Sequence, residues 1–313
     1  MSSCAFVRFG TPAECSSFAP VNPLAGLLVV DLTRYLPGPF ASRELLRLGG
    51  RVVRLQAPGG DPMRELAPAW HEALNAGKES VELDLKADPE AGRALCTEAD
   101  VVLESFRPGV VDRLGIGPAD LPERVVYCSF TGFGPEDLTA GHDLNYQGWA
   151  GLLADTAPAM PPVQIADLAA GLRAVAQIAA ALLERERTGR GSRLIVSLTH
   201  GAHELAAHRL GGEPIPRLLT GGLACYRIYP TADGRHLTVA ALEPRFFQRL
   251  CELIGRPELA ERQWDAVQEP LADKLQEAFA AHPLATWLEL FDGEDVSVGP
   301  VATLEEAAAH LGR

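Results

Sequence analysis

His142 and Asp167 are the side chains in this sequence best set to move a proton to and from carbon. His142 stands in Gly141-His142-Asp143-Leu144-Asn145-Tyr146, and Asp167 follows some two dozen residues later in Gln164-Ile165-Ala166-Asp167-Leu168-Ala169. Small residues flank both, so backbone can come close to whatever they face. An imidazole and a carboxylate facing one carbon from opposite sides could remove a proton and return it on the other face. Each such general acid–base group is worth roughly 10²–10⁴-fold in rate. The residues by themselves leave this reading open against a structural one, in which His142 is a core histidine with a satisfied hydrogen bond.

The elements that must position the pair alternate in type. Leu27 to Leu32 reads as a buried strand, Pro37-Gly38-Pro39 as a turn opening a helix to about Leu48, and Val52 to Leu55 as a second strand. Further strands are expected near Val81 to Leu85, Val101 to Glu104 and Val125 to Ser129, with helices at Pro89 to Glu98 and Pro108 to Leu114. A long helix from about Asp167 to Arg187 and a strand at Arg193 to Leu198 follow. This pattern implies an α/β fold with a mostly parallel, Rossmann-like sheet covered on both faces. Tyr226 to Ala240 reads as a two-stranded unit turning at Ala232-Asp233-Gly234-Arg235, inside a smaller α+β domain with several helices. Thr303-Leu304-Glu305-Glu306 has the form of a capping box. The expected organisation is a loose tail at 1–22, a large α/β domain at 23–211, a small α+β domain at 212–301 and a C-terminal helix at 302–313.

Composition narrows the function. A net charge of −13 over 313 residues argues against nucleic acid or anionic membrane as the main partner. The six cysteines are scattered with no C-x-x-C pair, which fits thiols in a reducing cytosol and places the protein in the cytoplasm. No signal peptide is read at the start, and the apolar stretch Leu168 to Leu183 is short for a bilayer span. The first strand is followed by no G-x-G-x-x-G, and the chain has neither a P-loop nor a G-x-S-x-G elbow. His203-Glu204 and His208 mimic a zinc helix, but a spacing of five turns the helix by ~500° and sets the rings ~140° apart. No metal is expected.

Cations gather where strands end. Arg34 follows the first strand, Arg54 the second, Arg64 a Gly59-Gly60 turn, Lys78 a Gly77 turn, and Arg107 the Val101 to Glu104 strand. Ligands of open α/β sheets bind at those strand ends, and guanidinium groups pair bidentately with phosphate. Each cation singly reads as a solvated surface group; together they suit a polyphosphate.

Asp-Leu-Thr-Arg…Pro-Gly-Pro-Phe-Ala, Gly-Gly-Asp-Pro-Met-Arg, Asn-x-Gly-Lys-x-Ser-Val and Leu-Glu-Ser-Phe-Arg-Pro-Gly-Val resemble the family III CoA-transferase superfamily (CaiB/BaiF type). The likeness spans roughly residues 24 to 306, and the Gly-His-Asp-Leu-Asn-Tyr form is most similar to the α-methylacyl-CoA racemase branch. The transferase branch typically lacks that histidine. The resemblance implies that His142 and Asp167 are the acid/base pair and that Glu243 supports the site. It also implies that acyl-CoA lies along the large domain near Arg34, Arg54, Arg64, Lys78, Arg107 and Tyr146. Coenzyme A is then part of the substrate thioester and no separate cofactor is needed. An interlocked homodimer is implied too. Two stretches depart from the resemblance: Val196 to Tyr226 is shorter than usual, and the sequence ends at Arg313 without the longer C-terminal return.

The expected activity is racemisation of 2-methyl-branched acyl-CoA thioesters through an enolate. The enolate oxygen would need preorganised donors, expected among the N–H groups opening the Asp167 helix and at Gly221-Gly222. That helix start lowers an aspartate's pKa while burial among Ile165, Ala166, Leu168 and Ala169 raises it; burial is expected to win. The rival readings are a CoA-transferase with Asp167 as acyl nucleophile and a shortened, non-catalytic acyl-CoA-binding relative.

Overall fold

Val29, Val30, Val101, Val102 and Leu103 are all but inaccessible in the computed structural model, which describes residues 22–312. The loose tail expected at 1–22 lies outside the described residues except for its last position. The described chain divides into two compact units, with the break between Leu210 and Gly211.

In the first unit the elements run β1 (Leu28–Asp31), α1 (Pro37–Arg47), β2 (Arg51–Gln56), α2 (Met63–Leu66), α3 (Pro68–Asn75), β3 (Glu79–Glu82), α4 (Pro89–Glu98), β4 (Val101–Glu104) and α5 (Val110–Arg113). They continue with β5 (Val126–Thr131), α6 (Asp143–Trp149), α7 (Ile165–Thr188), β6 (Arg193–Ser197) and α8 (Leu198–Glu204). All six strands are parallel, in the order β3-β2-β1-β4-β5-β6. The inner strands β1 and β4 are continuous apolar runs because helices cover both faces.

Two differences from the sequence reading have simple causes. The third strand sits at Glu79–Glu82, ahead of the expected Val81 to Leu85, and all four of its residues are exposed. Charged residues suit a sheet edge, while Leu83, whose N–H still donates to Gln56 O, and Leu85 pack on the core. The apolar stretch at Leu168 to Leu183 belongs to a helix of 24 residues, whose length and hydropathy alone would suffice to cross a bilayer. Its residues Ala166, Ala170, Ala174, Ile178 and Leu182 recur every four positions as one buried stripe in the core against the sheet. Gly171 on that helix would place a Cβ only 2.7 Å from the Phe40 ring of α1, so the two helices pack closely only with glycine there.

The second unit carries a hairpin of β7 (Tyr226–Pro230) and β8 (His236–Ala240), turning where the sequence predicts. It continues through α9 (Pro244–Leu253), α10 (Glu269–Phe279), α11 (Leu284–Phe291), β9 (Val298–Pro300) and α12 (Leu304–His310). β9 joins the hairpin as a third antiparallel strand, and the aromatic core is built on Tyr229, Phe247, Phe279 and Trp287. Thr303 caps α12 by accepting the Glu306 N–H, and Arg235 of the hairpin turn pairs with Glu306 at 2.8 Å.

Candidate active site

From β1 the chain steps outward to β2 and β3, then returns to build β4, β5 and β6 on the other side of β1. Loops leaving β1 and β4 therefore part in opposite directions and open a crevice at the carboxyl ends of the strands. A cavity of about 490 Å³ fills it, well within the range of about 300–1,000 Å³ common for ligand sites. Its walls come from Leu32–Pro37 after β1, Ser105–Pro108 after β4, and the long segment after β5 that ends at Asp143. His142 and Asp167 both line it, as do Arg34, Arg107 and Tyr146.

His142 is the residue before α6, a helix the sequence reading did not place. Its backbone N–H donates to Asn145 Oδ1 at 3.0 Å, which fixes the start of the helix and leaves the imidazole exposed. Asp167 lies in the first turn of α7, half-buried, and burial is the larger of two causes that push its carboxyl up to about 7. The second is the charge of Asp143. Burial and a like charge thus outweigh the helix start.

Asp143 is the functional residue the sequence reading passed over, although it stands inside the motif beside His142. Its buried carboxylate accepts the Asp167 backbone N–H at 3.0 Å with one oxygen and the Gln147 side-chain amide with the other. The first turns of α6 and α7 are thereby locked together at the cavity. Nothing in the spacing announces this, because it arises from two helix starts meeting in space. Donors for an enolate oxygen at the head of α7 are correspondingly fewer than expected. The Asp167 N–H is held by Asp143, and the Ile165 N–H bonds Val163 O at 3.0 Å. Gly221-Gly222 belongs to the second unit, where the Gly222 N–H bonds Arg217 O.

Tyr146 forms wall more than handle. Its hydroxyl donates to Gly141 O at 2.6 Å, and burial followed by the Asp167 charge raises its pKa. A Cβ on Gly132 or Gly141 would come within 2.9 Å or 2.8 Å of its ring, so both glycines are needed for the loop to close on it.

The five cations separate into two groups. Arg34 and Arg107 are exposed at the cavity with no ion-pair partner among the described residues. Arg54 and Lys78 face inward instead. Arg54 is 3% exposed, pairs with Asp61 at 2.9 Å and meets His71 Nε2 at 3.1 Å. Lys78 donates to Pro39 O, Ser42 Oγ and Asn75 Oδ1, so all three ammonium hydrogens are engaged. Burial brings its pKa down to about 8, against the nearby Asp31. A direct phosphate contact by Lys78 is thus replaced by a structural tie beneath the β1–α1 loop. Arg64 is exposed beside Gly60 and does not line the cavity. Glu243 belongs to the second unit, exposed immediately before α9. Among the described residues, no three of His, Cys, Asp and Glu gather as a metal site. The histidines of α8 have other neighbours: His200 Nδ1 meets Ser197 Oγ at 2.8 Å, and His203 Nδ1 meets Ala150 O at 3.0 Å.

Residues 24–311 match the model of CoA-transferase family III. The chain is 35% identical to human alpha-methylacyl-CoA racemase, over 92% of this chain and 80% of that one. It is 33% identical to an acetyl-CoA:oxalate CoA-transferase of Acetobacter aceti, over 95% and 84% of the two chains. The crystal structure of a CAIB/BAIF family protein from Brucella suis superposes with a TM-score of 0.78 at 30% identity, covering 92% of this chain and 86% of that one.

Proposed function

Since the chain belongs to CoA-transferase family III, we propose that it is a racemase (epimerase) of 2-methyl-branched acyl-CoA thioesters, exchanging the α-proton between His142 and Asp167. The observation that carries this reading is that an exposed imidazole and a carboxyl titrating near 7 line one cavity. A general acid–base group works best with its pKa near the operating pH. At neutral pH both forms of Asp167 are populated, as a reversible proton carrier requires.

The thioester carbonyl acidifies its α-carbon. In one direction the Asp167 carboxylate takes the α-proton and the C–H electrons pass into an enolate. Protonated His142 then delivers a proton to the other face; the reverse direction exchanges the roles. The CoA phosphates fall to Arg34 and Arg107, which line the cavity with no ion-pair partner among the described residues. Glu243 as a supporting residue, a homodimer and a cytoplasmic location complete the proposal, resting on the family resemblance and composition. The histidine is what favours racemase over transferase.

The test is incubation of a 2-methylacyl-CoA in D₂O. The expected result is deuterium at the α-carbon with inversion and without any acceptor acid, the inversion abolished by His142→Ala. Bound thioester with no α-deuterium would sink the proposal.

Similarity to an oxalate CoA-transferase supports a second reading. There an Asp167 oxygen attacks the thioester carbonyl, CoA thiolate leaves and an acyl-aspartyl anhydride remains for the acceptor carboxylate. Hydroxylamine would trap that anhydride, and His142→Ala would be nearly silent.

A further inference from the structure

Tyr35 is the residue of the β1–α1 loop whose backbone lies in the left-handed region, at φ 67°. A bulky side chain there is an outlier, and glycine or asparagine takes this conformation at far lower cost. The loop forces it from both ends. Asp31, buried at the end of β1, accepts the Thr33 N–H at 2.9 Å, the Thr33 hydroxyl and the Ser42 hydroxyl. On the far side, Gly38 leaves room for the Thr33 side chain, since a Cβ would fall 2.0 Å from Thr33 Oγ1. Between these anchors the chain must reverse within Arg34, Tyr35 and Leu36.

The turn alone does not account for a tyrosine. The residue is 51% exposed, so burial gives little return, and its hydroxyl has no hydrogen-bond partner among the described residues. The ring lines the cavity and stands edge-on to His142, with centroids 6.1 Å apart and planes at 88°. That lies within the preferred range for aromatic pairs. It is the ring contact His142 makes among the described residues. Strain that the surrounding structure over-determines, beside a candidate proton carrier, is characteristic of functional sites.

We propose that Tyr35 is a positioning residue, held in a strained loop so that its ring fixes the orientation of the His142 imidazole over the cavity. This rests on the reading of His142 as a proton carrier. Without the ring the exposed imidazole loses the ring contact that sets its aim, and proton transfer depends steeply on aim.

The experiment compares Tyr35→Gly and Tyr35→Phe by thermal unfolding, by kcat and KM for α-deuterium incorporation, and by the NMR signals of the His142 ring. In Tyr35→Gly, relief of the left-handed strain keeps Tm at or above the wild-type value. In the same variant kcat falls about 2–10-fold, the loss of one aromatic pair, while KM changes little and the His142 signals move. Tyr35→Phe, which keeps the ring, recovers rate and signals. An unchanged kcat in Tyr35→Gly, a fall in kcat that only follows a fall in Tm, or a Phe variant as slow as Gly would overturn the proposal. If the wild type exchanges no deuterium, the racemase reading fails separately. The His142 signals then decide alone: movement with Gly but not Phe supports positioning, and no movement refutes it.

Discussion

Asp167→Asn should make this protein more stable, and by an amount that depends on pH. The carboxyl has an ordinary pKa of 3.8 and is raised to about 7 in the folded chain, first by burial and then by the Asp143 charge. A raised folded-state pKa means that the folded chain holds its proton more tightly than the unfolded one. The contribution of this group to stability is then most favourable below about pH 4, declines as pH rises towards 7, and is flat above that. The full penalty is (7 − 3.8) × about 1.36 kcal/mol per unit, a ceiling of about 4 kcal/mol. Asp167 is half-buried, and water reaching the carboxyl brings the expected gain down to about 2–3 kcal/mol at pH 8. Asparagine preserves the local structure, because the Asp143 contact is to the backbone N–H and survives the change. Urea unfolding of wild type and variant at pH 8 and pH 4.5 measures the difference. The gain should shrink to about 1 kcal/mol or less at the lower pH. A gain that is the same at both values, or a loss at pH 8, would refute the reasoning.

Three further outcomes follow from the same geometry. Asp143→Asn removes the smaller cause of the Asp167 shift, so the titration of Asp167 should move down by less than half the interval between 3.8 and about 7. The Gln147 amide can turn to offer the replacement its Oε1, which is buried without a partner; the pH dependence of exchange or a carboxyl NMR titration reads the shift. Arg34→Ala and Arg107→Ala should each weaken CoA binding by about 10–100-fold, the loss of a hydrogen bond of about 1.5–3 kcal/mol to a charged group, with Tm unchanged; calorimetric titration with CoA checks this. Lys78→Met should act oppositely, lowering stability by about 3–5 kcal/mol because Asp31 is left buried without its cation, and denaturant unfolding measures it.

Much of the architecture was legible because it rests on local pattern. Buried strands at β1 and β4 are short apolar runs, and the hairpin turn at Ala232–Arg235 is written in its residues. The cap at Thr303 is equally local. The third strand was misplaced because Leu83 and Leu85 carry the apolar signal while the charged Glu79–Glu82 makes the ladder. The helix that presents His142 was missed because seven residues containing Gly148 and Asn145 show little helical pattern.

The sequence by itself determined the alternation of strands and helices, the small-residue settings of His142 and Asp167, and the supply of cations at strand ends. These depend on neighbours along the chain. Tertiary structure alone decided which groups share a space: Arg34 and Arg107 stand at the cavity, while Arg54 and Lys78 turn inward to Asp61 and Asp31. It also brought Asp143 to the head of α7, where its charge and the burial of Asp167 raise that carboxyl towards neutrality. Desolvation and charge–charge coupling are properties of a place in three dimensions, and residues far apart in the chain create that place together.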